Sequence, residues 1–254
     1  NNSAVNGIWS GYFQGIFRAN QVILNVPEIE MDEELKTRLV GEARFLRAYF
    51  YFFLVRTYGD LPLIETPLNP DEYQQSRVSK ETIYAFIEED LAFAAANLPE
   101  KSEYPASELG RATAGAAKSF LAKVHLFQNE FQEAYDMAQE VIASGEYELY
   151  PDYEGIFRRE GEHSSESIFE VSTVALEAGG GGSQFNEVQG IRGNPNNGWG
   201  FNGPSDDLMA AYEENDPRLA ATIINEGDTL PSGEIVMPDP NMGENARFSR
   251  KAWL

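Results

Sequence analysis

Apolar residues recur at three- and four-residue spacing through the first 150 positions, which is the period of the α-helix. Ile8, Tyr12, Ile16, Ala19 and Ile23 line one side of a helix over residues 8–26, and Pro27 ends it. Leu35, Leu39, Ala43, Leu46, Phe50 and Phe53 form a stripe on the next helix. Phe45, Tyr49 and Phe52 make a second stripe on the same helix. A helix apolar on two faces needs two neighbours, so this one belongs inside a helical stack. Asp32 is its cap, Glu33 and Glu34 suit its dipole, and Gly59 and Pro62 stop it. Ser79 caps a third helix with Ile83, Ile87, Leu91, Ala94 and Leu98 inward, and Pro99 lies just beyond it. Residues 113–128 and 131–144 form one more pair. Ala114, Gly115, Ala116 and Ala117 permit close approach there, and Gly145 is a left-handed terminator.

The pattern changes after Tyr150. Residues 168–174 alternate apolar and polar and predict a strand. Gly179–Gly182 and a long Asn/Gly loop run on to Gly203. Ser205 caps a short helix over 206–213, with Leu208 and Tyr212 inward. From Asn215 only turns and short extended pieces are expected. The expected organisation is helical pairs over 1–150 and a loop-rich region over 151–254, packed on the helices as one structural domain. The last pair matches the tetratricopeptide pattern in type at Leu121, Ala122 and Ala134, but not at Lys118, His125 and Ala138. The predicted fold class is therefore mainly α, a short solenoid of tetratricopeptide-like helical pairs with an irregular loop-rich ligand-binding region.

Composition narrows the functions. The 254 residues are 42% hydrophobic and 24% charged, enough to bury a core. With 41 acidic and 19 basic residues the net charge is -22, which repels a phosphate backbone and argues against nucleic acid. There is no cysteine, so disulfides, thiolate metal sites and cysteine nucleophiles are excluded within the chain. No apolar run approaches the roughly 20 residues of a membrane helix. The chain begins at Asn1 without methionine or a signal peptide, as a fragment or processed form would.

Gly198-Trp199-Gly200-Phe201-Asn202-Gly203 fits G-x-G-x-x-G. A dinucleotide site needs a strand before it and a helix opening within it. Asn194-Pro195-Asn196-Asn197 precedes it, Pro204 follows, and Trp and Phe fill the places a pyrophosphate must approach. Sugars suit the segment better, because their C–H faces stack on rings and their hydroxyls pair with amides. Trp199 and Phe201 supply rings; Asn196, Asn197 and Asn202 supply amides. The competing reading folds both rings back as loop anchors. Trp9 lies beside the first apolar stripe and is expected in the core, while Trp253 is too near the end to assign.

His125 falls at a helix-packing position and His163 in a polar loop, and neither belongs to H-E-x-x-H. No nucleophile elbow or phosphate loop occurs. Acidic pairs such as Asp206-Asp207 are accounted for by helix first turns. Asp239-x-Asn241-x-Gly243-Glu244 is a broken calcium loop. No catalytic residue, metal or cofactor is expected. Arg44 and Arg47 project from an otherwise apolar helix, and unpaired burial would cost several kcal/mol. Each is expected to bind carboxylates or carbonyls of a neighbouring segment. Arg44→Met is expected to destabilise strongly.

Glu42-Ala43-Arg44-Phe45-Leu46-Arg47-Ala48, followed by Tyr58-Gly59-Asp60-x-Pro62-Leu63, resembles the hallmark of the SusD/RagB family, surface lipoproteins of Bacteroidetes-type bacteria. Arg18-Ala19-Asn20, Gly110-Arg111-Ala112-Thr113, Ser167-Ile168-Phe169-Glu170-Val171 and Asn215-Asp216-Pro217-Arg218 resemble other family blocks in the same order. The resemblance implies a non-enzymatic binding protein. Its kind captures oligosaccharides, or peptides in the RagB branch, as a lid on a SusC-like TonB-dependent outer-membrane transporter. It also implies cell-surface location through a lipid anchor upstream of Asn1 and further C-terminal helices. The binding-site residues above come from chemistry and position, not from the motif. A tetratricopeptide adaptor without a nutrient role remains the alternative of another class.

Overall fold

The computed structural model describes residues 3–173, 184–242 and 246–252. Two compact units are present, Asn1–Glu148 with Ser167–Glu170, and Leu149–Glu166 with Val171–Leu254.

The first unit is a run of helices, each packed on the next in sequence: α1 (Ser3–Asn25), α2 (Glu33–Tyr58), α3 (Lys80–Asn97), α4 (Ala114–Gln128) and α5 (Phe131–Ser144). α1 stops at Asn25 because Pro27 has no N–H to donate, and Val26–Glu28 tightens into a 3-10 turn. The Asp32 carboxylate accepts the Leu35 N–H at 2.9 Å, and Gly59 closes α2 at φ 68°. Tyr58 at the end of α2 bonds the Val5 carbonyl at the start of α1, so these helices run antiparallel. α2 is wedged on both sides, as a doubly apolar helix must be. Its Tyr51 meets Phe13 of α1 edge-on at 6.4 Å and Phe86 of α3 at 5.6 Å.

The deepest face of α2 differs from the first predicted stripe. Ala48, Tyr51, Phe52 and Leu54 are fully buried. Phe50 and Phe53 are half-buried beside Tyr12 of α1, at 5.8 Å each. Leu39, Ala43, Leu46 and Phe50 line a shallow groove of about 370 Å³ with Gly15, Ala19 and Val22 of α1. Gly15 lets the Phe50 ring come so near that a Cβ there would lie 2.5 Å from it. On α3 the inward set is Ile83, Ile87, Leu91, Ala94 and Leu98, all buried, and each large side chain contributes about 1.5–3 kcal/mol. Trp9 packs on Phe13 at 4.7 Å and on Tyr58 at 5.0 Å, as a core residue does.

Residues 168–173 form no strand. Phe169 instead meets Phe45 edge-on at 5.0 Å, and the Ser167 carbonyl accepts from Lys101 Nζ at 2.8 Å. Ile168 and Phe169, which are adjacent, both pack against the first core while Val171 is exposed, so the segment is held by contact with a helical surface rather than by a ladder. Val174 and Gly179–Gly182 lie outside the described residues, as do Gly243, Glu244 and Trp253.

Small residues at the start of α4 serve a specific neighbour. A Cβ on Gly115 would stand 2.5 Å from the Tyr147 ring, whose hydroxyl lies 2.9 Å from that of Thr113. Gly115→Ala is expected to lose about 1–3 kcal/mol through overpacking. Urea denaturation measures it. An unchanged midpoint would mean that Tyr147 moves aside freely.

The second unit has its own small core of Ile191, Ile224, Leu230, Val236 and Phe248. Its helices are short: α6 (Phe185–Gln189), α7 (Asp206–Ala210) and α8 (Pro217–Thr222). Strand β1 (Gly193–Asn194) pairs antiparallel with β3 (Met237–Pro238), and β2 (Ile223–Ile224) with β4 (Phe248–Ser249). The region after Asn215 is thus more ordered than its sequence pattern implies. Asp216 caps α8 by accepting the Arg218 N–H, with Pro217 at the first helical position.

Candidate functional site

Two places hold the residues singled out by sequence. The first is inside the helical unit. Arg47 is 4% exposed and pairs with Asp90 through two bonds, Nε to Oδ2 at 2.7 Å and Nη2 to Oδ1 at 2.8 Å. Its Nη1 donates to Asn20 Oδ1 at 2.7 Å and to the Glu65 carbonyl at 3.1 Å, and its guanidinium covers the Phe86 ring at 4.6 Å. Asn20 and Tyr51 each donate to the Ile64 carbonyl. Residues 64–65 are therefore clamped by α1 and α2, with Asp90 of α3 holding the Arg47 guanidinium in place. Burial pushes the Asp90 carboxyl up, while the Arg47 guanidinium pulls it down. Arg44 is looser: it lies 3.7 Å from Asp90 and 3.9 Å from Glu89, and stacks over Phe93 at 4.3 Å.

The second place is the loop after α6 in the other unit. A helix end leaves carbonyls without partners. Here the returning chain supplies them: Trp199 N–H donates to the Glu187 carbonyl at 2.7 Å, Phe201 N–H to Val188 at 3.0 Å, and Gly200 N–H to Gly190 at 3.0 Å. The N–H groups of Asn197 and Gly198 both donate to the carbonyl of buried Ile191. Two glycines make this close return possible. A Cβ on Gly198 would lie 2.4 Å from Gly190 Cα, and one on Gly190 would lie 2.8 Å from the Asn197 carbonyl oxygen. Gly198 thus serves backbone apposition with Gly190, and the amides of Gly198 and Gly200 are spent inside the loop rather than offered to a phosphate.

The clip presents its rings outward. Trp199 is 46% exposed and Phe201 60% exposed. Their planes meet at 81° with centroids 6.3 Å apart, an aromatic corner. Asn196, Asn197 and Asn202 are exposed beside them. Asn197 Oδ1 accepts the Ile191 N–H at 2.8 Å, so that oxygen is committed to the loop. Asn202, at φ 55°, donates to Gln189 Oε1 at 3.2 Å. In the same unit Arg192 pairs with Asp239 at 3.0 Å and Asn194 donates to the Ile235 carbonyl. Hydrogen bonds from the Asn241 backbone and amide, with Arg192 alongside, hold the Asp239 carboxyl below the usual range. Asp239 and Asn241 are therefore occupied with each other, and Gly243 and Glu244 of the broken calcium loop lie outside the described residues.

Gln189 and Arg192 also bond within this unit without belonging to any sequence motif. Their partners are 13 and 47 residues away, and no local pattern announces them. The arrangement can stack a flat apolar face and hydrogen-bond its polar edge. Among the described residues no helix is long and apolar enough to cross a membrane.

Residues 1–126 match a SusD-like family described as "Starch-binding associating with outer membrane". A SusD-like protein of Bacteroides ovatus is 31% identical over 68% of this chain and 33% of its own length. A SusD-like protein of Formosa agariphila is 30% identical over 92% of this chain and 48% of its own. Among solved structures, a laminarin-binding SusD-like protein superposes with a TM-score of 0.86 at 31% identity, covering 96% of this chain and 58% of that one. The chain thus spans between a third and a half of the curated relatives it matches here.

Proposed function

The chain belongs to the SusD-like family, and on that premise we propose that it is a non-catalytic glycan receptor whose contact surface is the Trp199–Phe201 corner. The exposed, perpendicular ring pair carries the reading. Large rings held outward by a hydrogen-bonded loop lose little conformational entropy when a ligand stacks on them. Asn196 and Asn202 flank the rings with amides suited to sugar hydroxyls. The laminarin-binding relative supports a glucan as the first ligand to try. Delivery to a SusC-like TonB-dependent transporter, and attachment at the outer-membrane surface, complete the proposal.

Isothermal titration with laminarin oligosaccharides, backed by a glycan array, tests it. Saturable binding with no release of reducing ends is expected. Binding of peptides in place of every glycan would move the ligand to the peptide class. Recovery of an outer-membrane barrel with the full-length protein tests the transporter, and its absence from such preparations would remove that half of the proposal.

A further inference from the structure

No contiguous sequence motif points to a metal, but the helical unit gathers ligands from separate elements. Glu88 of α3, His125 of α4 and Glu130 just before α5 each bring a ligand atom to within 4.8 Å of the other two. His125 Nδ1 is 2.7 Å from Glu130 Oε2 and 4.0 Å from Glu88 Oε1. Gln128 turns its amide nitrogen toward both carboxylates, bonding Glu88 Oε1 and reaching Glu130 Oε2 at 3.5 Å. We propose that these residues form a divalent transition-metal site of the zinc type, which fastens α3 to the α4–α5 turn.

The ligand positions are preset by the fold. Asn129 ends α4 in the left-handed conformation at φ 65°, and the Glu130 N–H returns to the His125 carbonyl at 3.0 Å. His125 and Glu130 are thereby held on one turn. Glu88 comes from α3, next to fully buried Ile87, so its backbone cannot drift. Zinc bonds to nitrogen and oxygen are about 2.0–2.2 Å long, which sets tetrahedral ligands roughly 3.4 Å apart. The observed 2.7 and 4.0 Å fall on either side of that spacing. Both glutamates are partly exposed, at 31% and 43%, so side-chain torsions alone can close the set. Solvent can fill the fourth position.

Charge and ligand type select the ion. Two carboxylates and a neutral imidazole carry two negative charges, which a divalent cation cancels. The Gln128 amide supplies only the positive end of a dipole at the same place. An imidazole ligand suits zinc and its neighbours, whereas calcium and magnesium prefer all-oxygen sets. A cation bound only in the folded state stabilises it by mass action.

The chain has two histidines, and His163 serves as the internal control for His125. Tag-free protein is stripped with EDTA and titrated with Zn²⁺ calorimetrically, and its melting is followed with and without the ion. One saturable equivalent and a melting point raised by several degrees are expected. His125→Gln and Glu88→Gln should each weaken zinc by more than the roughly 10- to 100-fold that loss of a supporting partner costs. His163→Gln should bind as the parent does. Should His125→Gln fail to fold, Glu130→Gln and anomalous scattering from zinc-soaked crystals give the same answer. Affinity unchanged in the folded variants, Ca²⁺ bound as tightly as Zn²⁺, or an ion located elsewhere would each overturn the site.

Discussion

Replacement of Arg47 by methionine is expected to cost about 3–5 kcal/mol, the scale measured when one partner of a buried ion pair is removed. For a helical unit of this size that is a fall of ten degrees or more in melting point, or failure to fold. The reason is the partner left behind. Asp90 is 1% exposed, and both of its oxygens are bonded by Arg47. Without Arg47, Asp90 keeps only Arg44 at 3.7 Å, while Asn20 and the Glu65 carbonyl each lose a donor. Burial already pushes the Asp90 carboxyl up, and removing the guanidinium pushes it further. A carboxyl raised in the folded state favours folding below its unfolded pKa, and that benefit is lost as pH rises through the folded pKa. The deficit of the variant should therefore shrink as the solution is acidified. Urea unfolding of parent and variant at neutral and mildly acidic pH measures both quantities. A loss under about 1 kcal/mol would show that water or Arg44 satisfies Asp90, and the clamp would not stand.

Arg44→Met should be far milder. Its carboxylate contacts are long, its side chain is 24% exposed, and its stacking on Phe93 contributes about 0.5–1 kcal/mol. The sequence treats the two arginines alike, but the fold does not.

Trp199→Ala is expected to weaken glycan binding by about 2 kcal/mol, roughly 30-fold, as truncation of a central aromatic contact does. Melting should stay within about two degrees, because the backbone bonds to the carbonyls of Glu187, Val188 and Gly190 do not need the ring. Calorimetric titration alongside a melting curve separates the two readings of this residue. A large fall in melting point with affinity intact would make Trp199 a loop anchor and dismiss the aromatic corner as the binding surface.

Much of the helical unit was legible in the residues themselves. Two helix starts follow from local chemistry: Asp32 and Ser79 accept N–H groups within their own first turns. Gly59 and Gly145 provide the positive φ that closes a helix. The inward set of α3 follows from its period because a single face is buried. The period could not rank the two faces of α2, since both are apolar; the deeper one is the face on which Tyr51 meets Phe86 of α3 and Phe52 meets Phe120 of α4.

Residues 168–174 read as a strand because they alternate apolar and polar, but over the described part, 168–173, only the adjacent Ile168 and Phe169 are packed, on Phe45 and the helical core, and Val171 is exposed. The loop unit was least legible. Its small core joins residues 191 to 248, a span over which no local period extends. The residues by themselves place the helices of the first unit, require their aromatic faces to meet, and set Trp199 and Phe201 on a glycine-freed loop; α6 and α8 of the second unit are not among the expected helices. Only the tertiary structure decided which arginine carries the buried charge, which way those rings face, and that Glu88 stands beside His125. Those depend on contacts between residues 37 to 43 positions apart, set by the packing of whole helices, or on a loop folding back over a helix end.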